Sequence, residues 1–304
     1  MRVFITGAAG YIGSEVVRAF VAAGHEVTGL THSPDNVEVV LSLGAMPIQG
    51  DVARPETWSE KAAGHDSLVH IAFDYQDPVP ADLASIDTLL EVGRTTVSKN
   101  CHMIYTSGCW VLGDTGDEPA DEETEIDHPA KIVAWRPAHE QQVVGSSDET
   151  FSTAVIRPGM VYGGHGGLVA RLFESAVEEG ASEYVGDGEN RWSLVHREDL
   201  ARLYVTIAEK RAHGVFHGVD GSPVKARMAA EAASEAAGTG GKTKSIPLTE
   251  AHQRLGLVAD ALLLDQALVP RRSRELGWAP TRPSFIEAAD EAFHEWQSER
   301  VKVS

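Results

Sequence analysis

Residues 1–13 read MRVFITGAAGYIG, and the fold follows from how this stretch is parsed. Val3 to Thr6 is an apolar, β-branched run long enough for one buried strand. Gly7, Gly10 and Gly13 follow at spacings of three. From Tyr11 to Ala23 the apolar residues Ile12, Val16, Val17, Phe20 and Val21 fall at helical spacing. Strand, glycine turn and helix thus arrive in the order that a dinucleotide site requires. Gly7 allows a sharp turn, Gly10 lets backbone approach a pyrophosphate, and Gly13 lets the helix pack closely on the strand. Around Ala9, Tyr11 and Ile12 the helix N-terminus offers unpaired N–H groups and its positive dipole end to phosphates.

Outward from this stretch, strands and helices keep alternating. Glu26–Leu30, Ala45–Gln49, Ser67–Ala72, Cys101–Ser107 and Phe151–Pro158 read as strands. Asp35–Leu43, Pro55–Ala63, Pro80–Lys99 and Ala130–Gly145 read as the helices between them, with a loop over Gly113–Pro129. Near-continuous apolar strands alternating with helices predict a parallel sheet covered on both faces. Right-handed crossovers make it doubly wound. From Gly159 the rhythm changes to glycine-rich turns and the helices Leu168–Gly180, Asp199–Ala208, Ala226–Gly238 and Ser284–Gln297, with Thr239–Lys244 as a mobile loop. The expected fold is α/β, a Rossmann-type doubly wound parallel sheet over residues 1–158 with a smaller C-terminal mixed α/β substrate lobe over 159–304.

Composition narrows the partners. The net charge of −19 opposes nucleic acid and anionic membrane surfaces, so a small-molecule substrate is the expected partner. Two cysteines, Cys101 and Cys109, make neither a disulfide framework nor a metal-ligand spacing. Residue 2 already adjoins the first expected strand, which is taken to leave no room for a signal peptide, and no apolar run has the length of a membrane span. A cytoplasmic location is expected.

Several later segments resemble the extended short-chain dehydrogenase/reductases, the NAD-dependent epimerase/dehydratase family. The triple-glycine turn has that superfamily's GxxGxxG form. Gly50-Asp51-Val52 is similar to the adenine-contacting turn, and His70-Ile71-Ala72, followed by Phe73, to the fourth-strand end beside the cofactor. VIRPGMVYG at 155–163 is similar to the sixth-strand motif under the nicotinamide, which places Pro158, Gly159 and Val161 at the cofactor with Thr106 of strand five. SLVHREDLA at 193–201 is similar to a segment of the family's second lobe. The resemblance also implies pairing of two copies through the long helices at 80–99 and 130–145.

The family's catalytic Ser–Tyr–Lys set is where the sequence departs. Aligned on Val111-Leu112-Gly113, the Ser position falls on Gly108, with Ser107 one residue earlier. Aligned on Glu140, the Tyr and Lys positions fall on Ile132 and Arg136; an alternative register uses Trp135 and His139. Neither supplies a phenol. Arg136 is suited to keep the ribose contact, but as a fixed cation it does not shuttle protons at neutral pH. Such a departure looks like the atypical branch of the superfamily.

Strand ends at the carboxyl edge of such a sheet face the ligand crevice. Tyr162, His139 and Ser107 are therefore the expected proton-handling groups, with Arg136. Asp74, Tyr75, Gly108, Trp110, His165 and Trp192 are the expected substrate contacts. Strand two ends in Thr31-His32-Ser33 with no carboxylate, which suits a 2′-phosphate and favours NADP, with NAD as the alternative. The resulting expectation is an NADP(H)-dependent oxidoreductase acting on a small or medium carbonyl-type substrate with a non-standard proton donor. A non-enzymatic NADP(H)-binding redox sensor and a sugar-type epimerase using NAD transiently are the alternatives.

Overall fold

A computed structural model describes residues 1–95 and 101–303. The first half runs β1 (Arg2–Thr6), α1 (Tyr11–Ala22), β2 (Glu26–Thr31), α2 (Pro34–Ser42), β3 (Met46–Gln49), α3 (Ser59–Ala62), β4 (Ser67–His70), α4 (Pro78–Thr95), β5 (Cys101–Thr106), α5 (Arg136–Val144) and β6 (Phe151–Pro158). The second half follows with β7 (Met160–Tyr162), α6 (Ala170–Glu179), β8 (Ser182–Val185), β9 (Arg191–Trp192), β10 (Leu194–His196), α7 (Arg197–Lys210) and β11 (Gly214–Gly218). It ends with β12 (Val224–Lys225), α8 (Ala226–Ala236), β13 (Thr243–Ile246), α9 (Leu248–Leu255), α10 (Val258–Ala261), α11 (Arg271–Glu275) and α12 (Phe285–Val303).

Two compact units interleave along the chain. Unit 1 comprises Met1–Ser107, Trp135–Arg157 and Leu200–Phe216. Its sheet has the order β11-β6-β5-β4-β1-β2-β3, and the ladders joining β6 through β3 are parallel. Strand order reverses between β1 and β4, so the carboxyl ends of these two strands flank the position where a doubly wound sheet binds its ligand. One face is closed by Phe4, Leu30, Trp58, Leu68, Ile86, Leu89, Met103, Tyr105 and Phe151. A Cβ on Gly93 of α4 would lie 2.3 Å from the Phe151 ring, so glycine is what brings this helix down on the sheet.

Unit 2 comprises Gly108–Ala134, Pro158–Asp199 and His217–Ser304. Its small sheets pair β7 with β10 and β8 with β13 in parallel, and β9 with β12 antiparallel. An aromatic core of Tyr162, Phe173, Trp192, Phe285, Phe293 and Trp296 packs under α6, α8 and α12.

Several expectations need correction. The boundary at 158/159 gives way to interleaving. Residues 108–134 join the later half because Thr115 and Ala120 hydrogen-bond through their backbone to Asp265 and Ala267. Residues 200–216, assigned in advance to the C-terminal lobe, belong instead to unit 1. The helix expected from Ala130 begins at Arg136, after a 3-10 turn over Lys131–Val133. The run at 55–63 breaks into a 3-10 turn, Pro55–Thr57, and α3. Thr243 and Lys244, expected in a loop, start β13, whose ladder partner is β8. The long helix expected to Lys99 starts at Pro78, and residues 96–99 lie outside the described residues.

Candidate active site

The glycine turn has the geometry its spacing predicts. Gly7 lies at φ +70°, and a Cβ there would stand 2.8 Å from the Ala72 backbone. A Cβ on Gly13 would stand 2.0 Å from the Gly7 carbonyl oxygen, so any side chain there parts helix from strand. Gly10 is different. It is exposed, its φ is −75°, and its Cβ would meet the Gly7 oxygen alone, at 3.2 Å. No side chain caps α1 and no acidic residue sits in its first turn, so the helix N-terminus stays open to an anion. Thr6 fastens the neighbouring strand end, its Oγ1 accepting from the Ile71 and Ala72 amides at 3.2 and 3.3 Å.

At the end of β2 the hydroxyls are already used. Thr31 is buried and donates to the Ser33 carbonyl, Ser33 accepts from the Asn36 amide as the N-cap of α2, and His32 stays exposed. Asp51, the expected adenine contact, accepts from the Ala53 amide and pairs with Arg54 at 3.1 Å. Val52 beside it accepts through its carbonyl from Ser85.

Beneath the carboxyl edge lies a buried polar network. Thr6 Oγ1 is 2.7 Å from His70 Nδ1, and His70 Nε2 faces Asp82 Oδ1 at 3.4 Å. Because Thr6 Oγ1 accepts two amides, its own proton goes to Nδ1, which leaves His70 protonated on Nε2, toward Asp82. Asp82 Oδ2 accepts from His139 Nδ1 at 2.7 Å and from the Tyr105 hydroxyl at 2.8 Å. The Tyr105 oxygen in turn accepts from Arg136 Nη1 at 3.0 Å, which also donates to the Thr106 carbonyl at 2.7 Å. Thr106 Oγ1 is 2.7 Å from the Tyr204 hydroxyl. Burial would raise the Asp82 pKa, but hydrogen bonds from His139 and His70 and the Arg136 charge outweigh it and hold the carboxyl ionised well below its usual range. Burial pushes the Tyr105 hydroxyl well above a normal phenol.

Two features at this edge remain available to a ligand. Ser107 Oγ is buried and has no hydrogen-bond partner among the described residues. The Arg136 guanidinium sits 4.6 Å from the Trp135 ring centroid and 5.6 Å from that of Phe73. Turn, open helix end, orphaned hydroxyl and cation together fit a dinucleotide with a substrate beside it.

The sequence profile of the NAD dependent epimerase/dehydratase family matches residues 3–217. The chain belongs to this family. An uncharacterized protein of Schizosaccharomyces pombe is 32% identical to it over 310 residues, covering 96% of this chain and 100% of that one. A 4-hydroxy-2-methyl-3-oxo-4-farnesyl-3,4-dihydroquinoline-1-oxide ketoreductase of Stigmatella aurantiaca is 28% identical, with 89% of this chain and 83% of that protein covered. A human epimerase family protein solved with NADPH superposes with a TM-score of 0.77 at 20% identity, covering 97% and 99% of the two chains.

The expected site residues divide between the units. Gly7, Ala9, Gly10, Tyr11, Ile12, Gly13, Thr31, His32, Ser33, Asp51, Val52, Ile71–Tyr75, Thr106, Ser107, Arg136 and His139 lie in unit 1. Gly108, Trp110, Pro158, Gly159, Val161, Tyr162, His165 and Trp192 lie in unit 2. The expectation that Tyr162 donates the proton is corrected. Its hydroxyl donates to the Pro283 carbonyl at 3.0 Å, its ring is 1% exposed, and burial raises its pKa. Trp192 likewise donates to the Leu262 carbonyl from within the core, and Trp110 is half-buried against it. His165 is held through both its amide and Nδ1 by Glu299. Gly159 has a packing reason, since a Cβ would stand 2.3 Å from the Ser193 oxygen. Around Gly108 there is open space. Unit 2 also carries a cavity of about 180 Å³ between α6, β8 and α9, lined by Arg171, Tyr184, Trp192 and Arg254 among others. Among the described residues no helix is long and apolar enough to cross a membrane.

Asp82 and Tyr105 were assigned no role in the sequence, and His70 only a place in the strand-end motif. Asp82 carried a signal: it shares a helical face with the apolar Ile86 and Leu89, where an isolated carboxylate needs a partner.

Proposed function

We propose that the chain is an NADP(H)-dependent oxidoreductase that reduces or forms a carbonyl-type group through an atypical site centred on Ser107 and Arg136. The observation that carries this reading is the pairing, on one sheet edge, of the open glycine turn with an orphaned buried hydroxyl. The ketoreductase relative supports the reaction class. NADP is favoured over NAD because β2 ends without the carboxylate that would hold a ribose 2′-hydroxyl.

The reduced nicotinamide supplies hydride when bound. Ser107 donates a hydrogen bond to the substrate oxygen, and Arg136 offsets the negative charge that grows on it. A guanidinium shuttles no proton at neutral pH, so the proton comes from solvent water. The network below acts by orientation. Asp82 holds Tyr105, and Tyr105 and the Thr106 carbonyl together fix one edge of the Arg136 guanidinium.

The test is a fluorescence titration with NADPH and NADH, repeated on Gly10→Asp. Gly10 is exposed at an ordinary φ and its Cβ would meet only the Gly7 oxygen, at 3.2 Å, so the substitution asks a small shift of the turn and places an anion where the phosphate is proposed to bind; an unchanged circular-dichroism spectrum checks the fold. Tight NADPH binding, weakened at least about 100-fold by the substitution, is expected. A wild-type protein that binds neither cofactor overturns the proposal.

A further inference from the structure

The segment after β4 carries two aromatic rings that the fold does not bury. Phe73 is 39% exposed and Tyr75 is 90% exposed, although both leave the strand at the point where sheet order reverses. Two adjoining exposed rings in such a position point to a binding surface. The rings are held in place. Asp74 Oδ1 accepts from the Gln76 and Asp77 amides at 2.7 and 2.9 Å, closing a tight turn beneath them. Phe73 and Tyr75 meet edge to face, with centroids 5.0 Å apart at 73°. Upstream, the backbone of Ala72 abuts the glycine turn.

The electrostatics choose among occupants. The Arg136 guanidinium lies 5.6 Å from the centre of the Phe73 ring and 4.6 Å from that of Trp135, which is half-buried on the helix side. A cation between aromatic faces is matched to a flat, electron-rich π system and to the oxygen at its edge. The carboxylates of Asp74 and Asp77 beside the rings repel an anion. We propose that Phe73, Tyr75 and Trp135 form a shelf for an uncharged planar substrate, an aromatic or conjugated carbonyl compound, stacked beside Arg136. This rests on the reductase reading above and names its substrate class.

The experiment separates ring stacking from general apolar contact. Calorimetric titrations of 2-acetylnaphthalene and of its saturated counterpart, 2-acetyldecalin, are made into the protein with and without NADPH. They are then repeated on the double variant Phe73→Leu/Tyr75→Leu, which keeps an apolar side chain at both positions and removes the two exposed π faces. The wild type is expected to bind the naphthalene about tenfold more tightly than the decalin. The double variant is expected to lose most of this preference, with Trp135 alone left to stack, and to keep the wild-type circular-dichroism spectrum. Equal binding of the pair by the wild type, no binding of the naphthalene, or a preference that survives both substitutions overturns the shelf. Sedimentation of both proteins completes the test: a dimer lost in the variant reassigns the rings to a second copy of the chain. Failure of NADPH binding would instead remove the reductase reading on which the shelf depends.

Discussion

At the end of β5 Ser107 keeps a buried hydroxyl with no partner among the described residues, while at the end of β7 Tyr162 gives its hydroxyl to the Pro283 carbonyl. The same contrast recurs across the two units. In unit 1 the helix after the glycine turn has no side-chain cap, and the edge carries the buried Arg136 beside two exposed rings. In unit 2 three residues with site-like chemistry are closed by neighbours, His165 by Glu299, His196 by Glu295 and Arg191 by Asp265, while Asp220 Oδ2 is buried without a partner among the described residues. Buried polar groups are almost always satisfied, so a group left open beside a built backbone turn points to a ligand. A residue's chemistry is thus a weaker guide than whether its valences are already filled.

The sharpest way to test the unit 1 network is to remove its hub. Asp82→Ala strips the acceptor from His139 and Tyr105 and leaves the Arg136 charge without its buried counter-ion. Urea denaturation should show a loss of about 4 kcal/mol. A loss below about 1 kcal/mol would mean that the network is incidental. Ser107→Ala, in contrast, removes an atom with no partner in the fold. Its melting temperature should match the wild type while kcat/KM falls about 100-fold. A variant that loses stability and keeps its activity would move Ser107 from the site to the core.

How much of this was legible in advance follows from the range of each interaction. The strand, glycine turn and helix of residues 1–23 are local, so spacing alone predicted the Gly7 turn and the close packing at Gly13. The parallel sheet followed from repetition of the same pattern. Tertiary partners had no such signal. Tyr162 passed for a proton donor because nothing near it in sequence shows that Pro283, 121 residues later, takes its hydrogen bond. Glu140, used to align the helix, is buried against Arg157 through Nη2 at 2.6 Å, so its motif position reflects an ion pair. Tyr105 was hidden in an apolar strand, where only the facing Asp82 and Arg136 give its hydroxyl a role.

Proton linkage separates the units more gently. In unit 1 His102 is buried, donates to the Ala212 carbonyl and has its pKa lowered to about 4 by desolvation. The fold holds it neutral, so its contribution is lost as pH falls from about 6.5 to about 4. In unit 2 Asp220 is raised to about 6, by burial first and by the Asp199 charge as well. The fold favours its protonated form, so stability is present below about 3.8 and is lost as pH rises through about 6. Asp220→Asn should therefore stabilise the protein by about 3 kcal/mol at pH 7.5 and by only about 0.5 kcal/mol at pH 4. Denaturation curves at the two pH values check this, and an equal gain at both would show that charge is not the cause.

Tyr162→Phe has the smallest effect expected and bears most directly on the contrast between the units. It removes one oxygen and its hydrogen bond to Pro283 and leaves the ring against His196 and Phe285. The net cost should be about 1 kcal/mol, because the exposed alternative for that hydroxyl is a hydrogen bond to water. The Pro283 carbonyl, left without this donor, accounts for part of it. If Tyr162 is structural, kcat/KM and its pH profile should match the wild type within experimental scatter while the melting temperature drops by a few degrees. A proton donor would behave in the opposite way, with a large fall in kcat and an altered profile on the alkaline side, and stability little changed. Read beside Ser107→Ala, the two substitutions form a crossed pair, each removing one hydroxyl from the end of a buried strand. Activity should respond to the serine and stability to the tyrosine, which is the result that open and filled valences require.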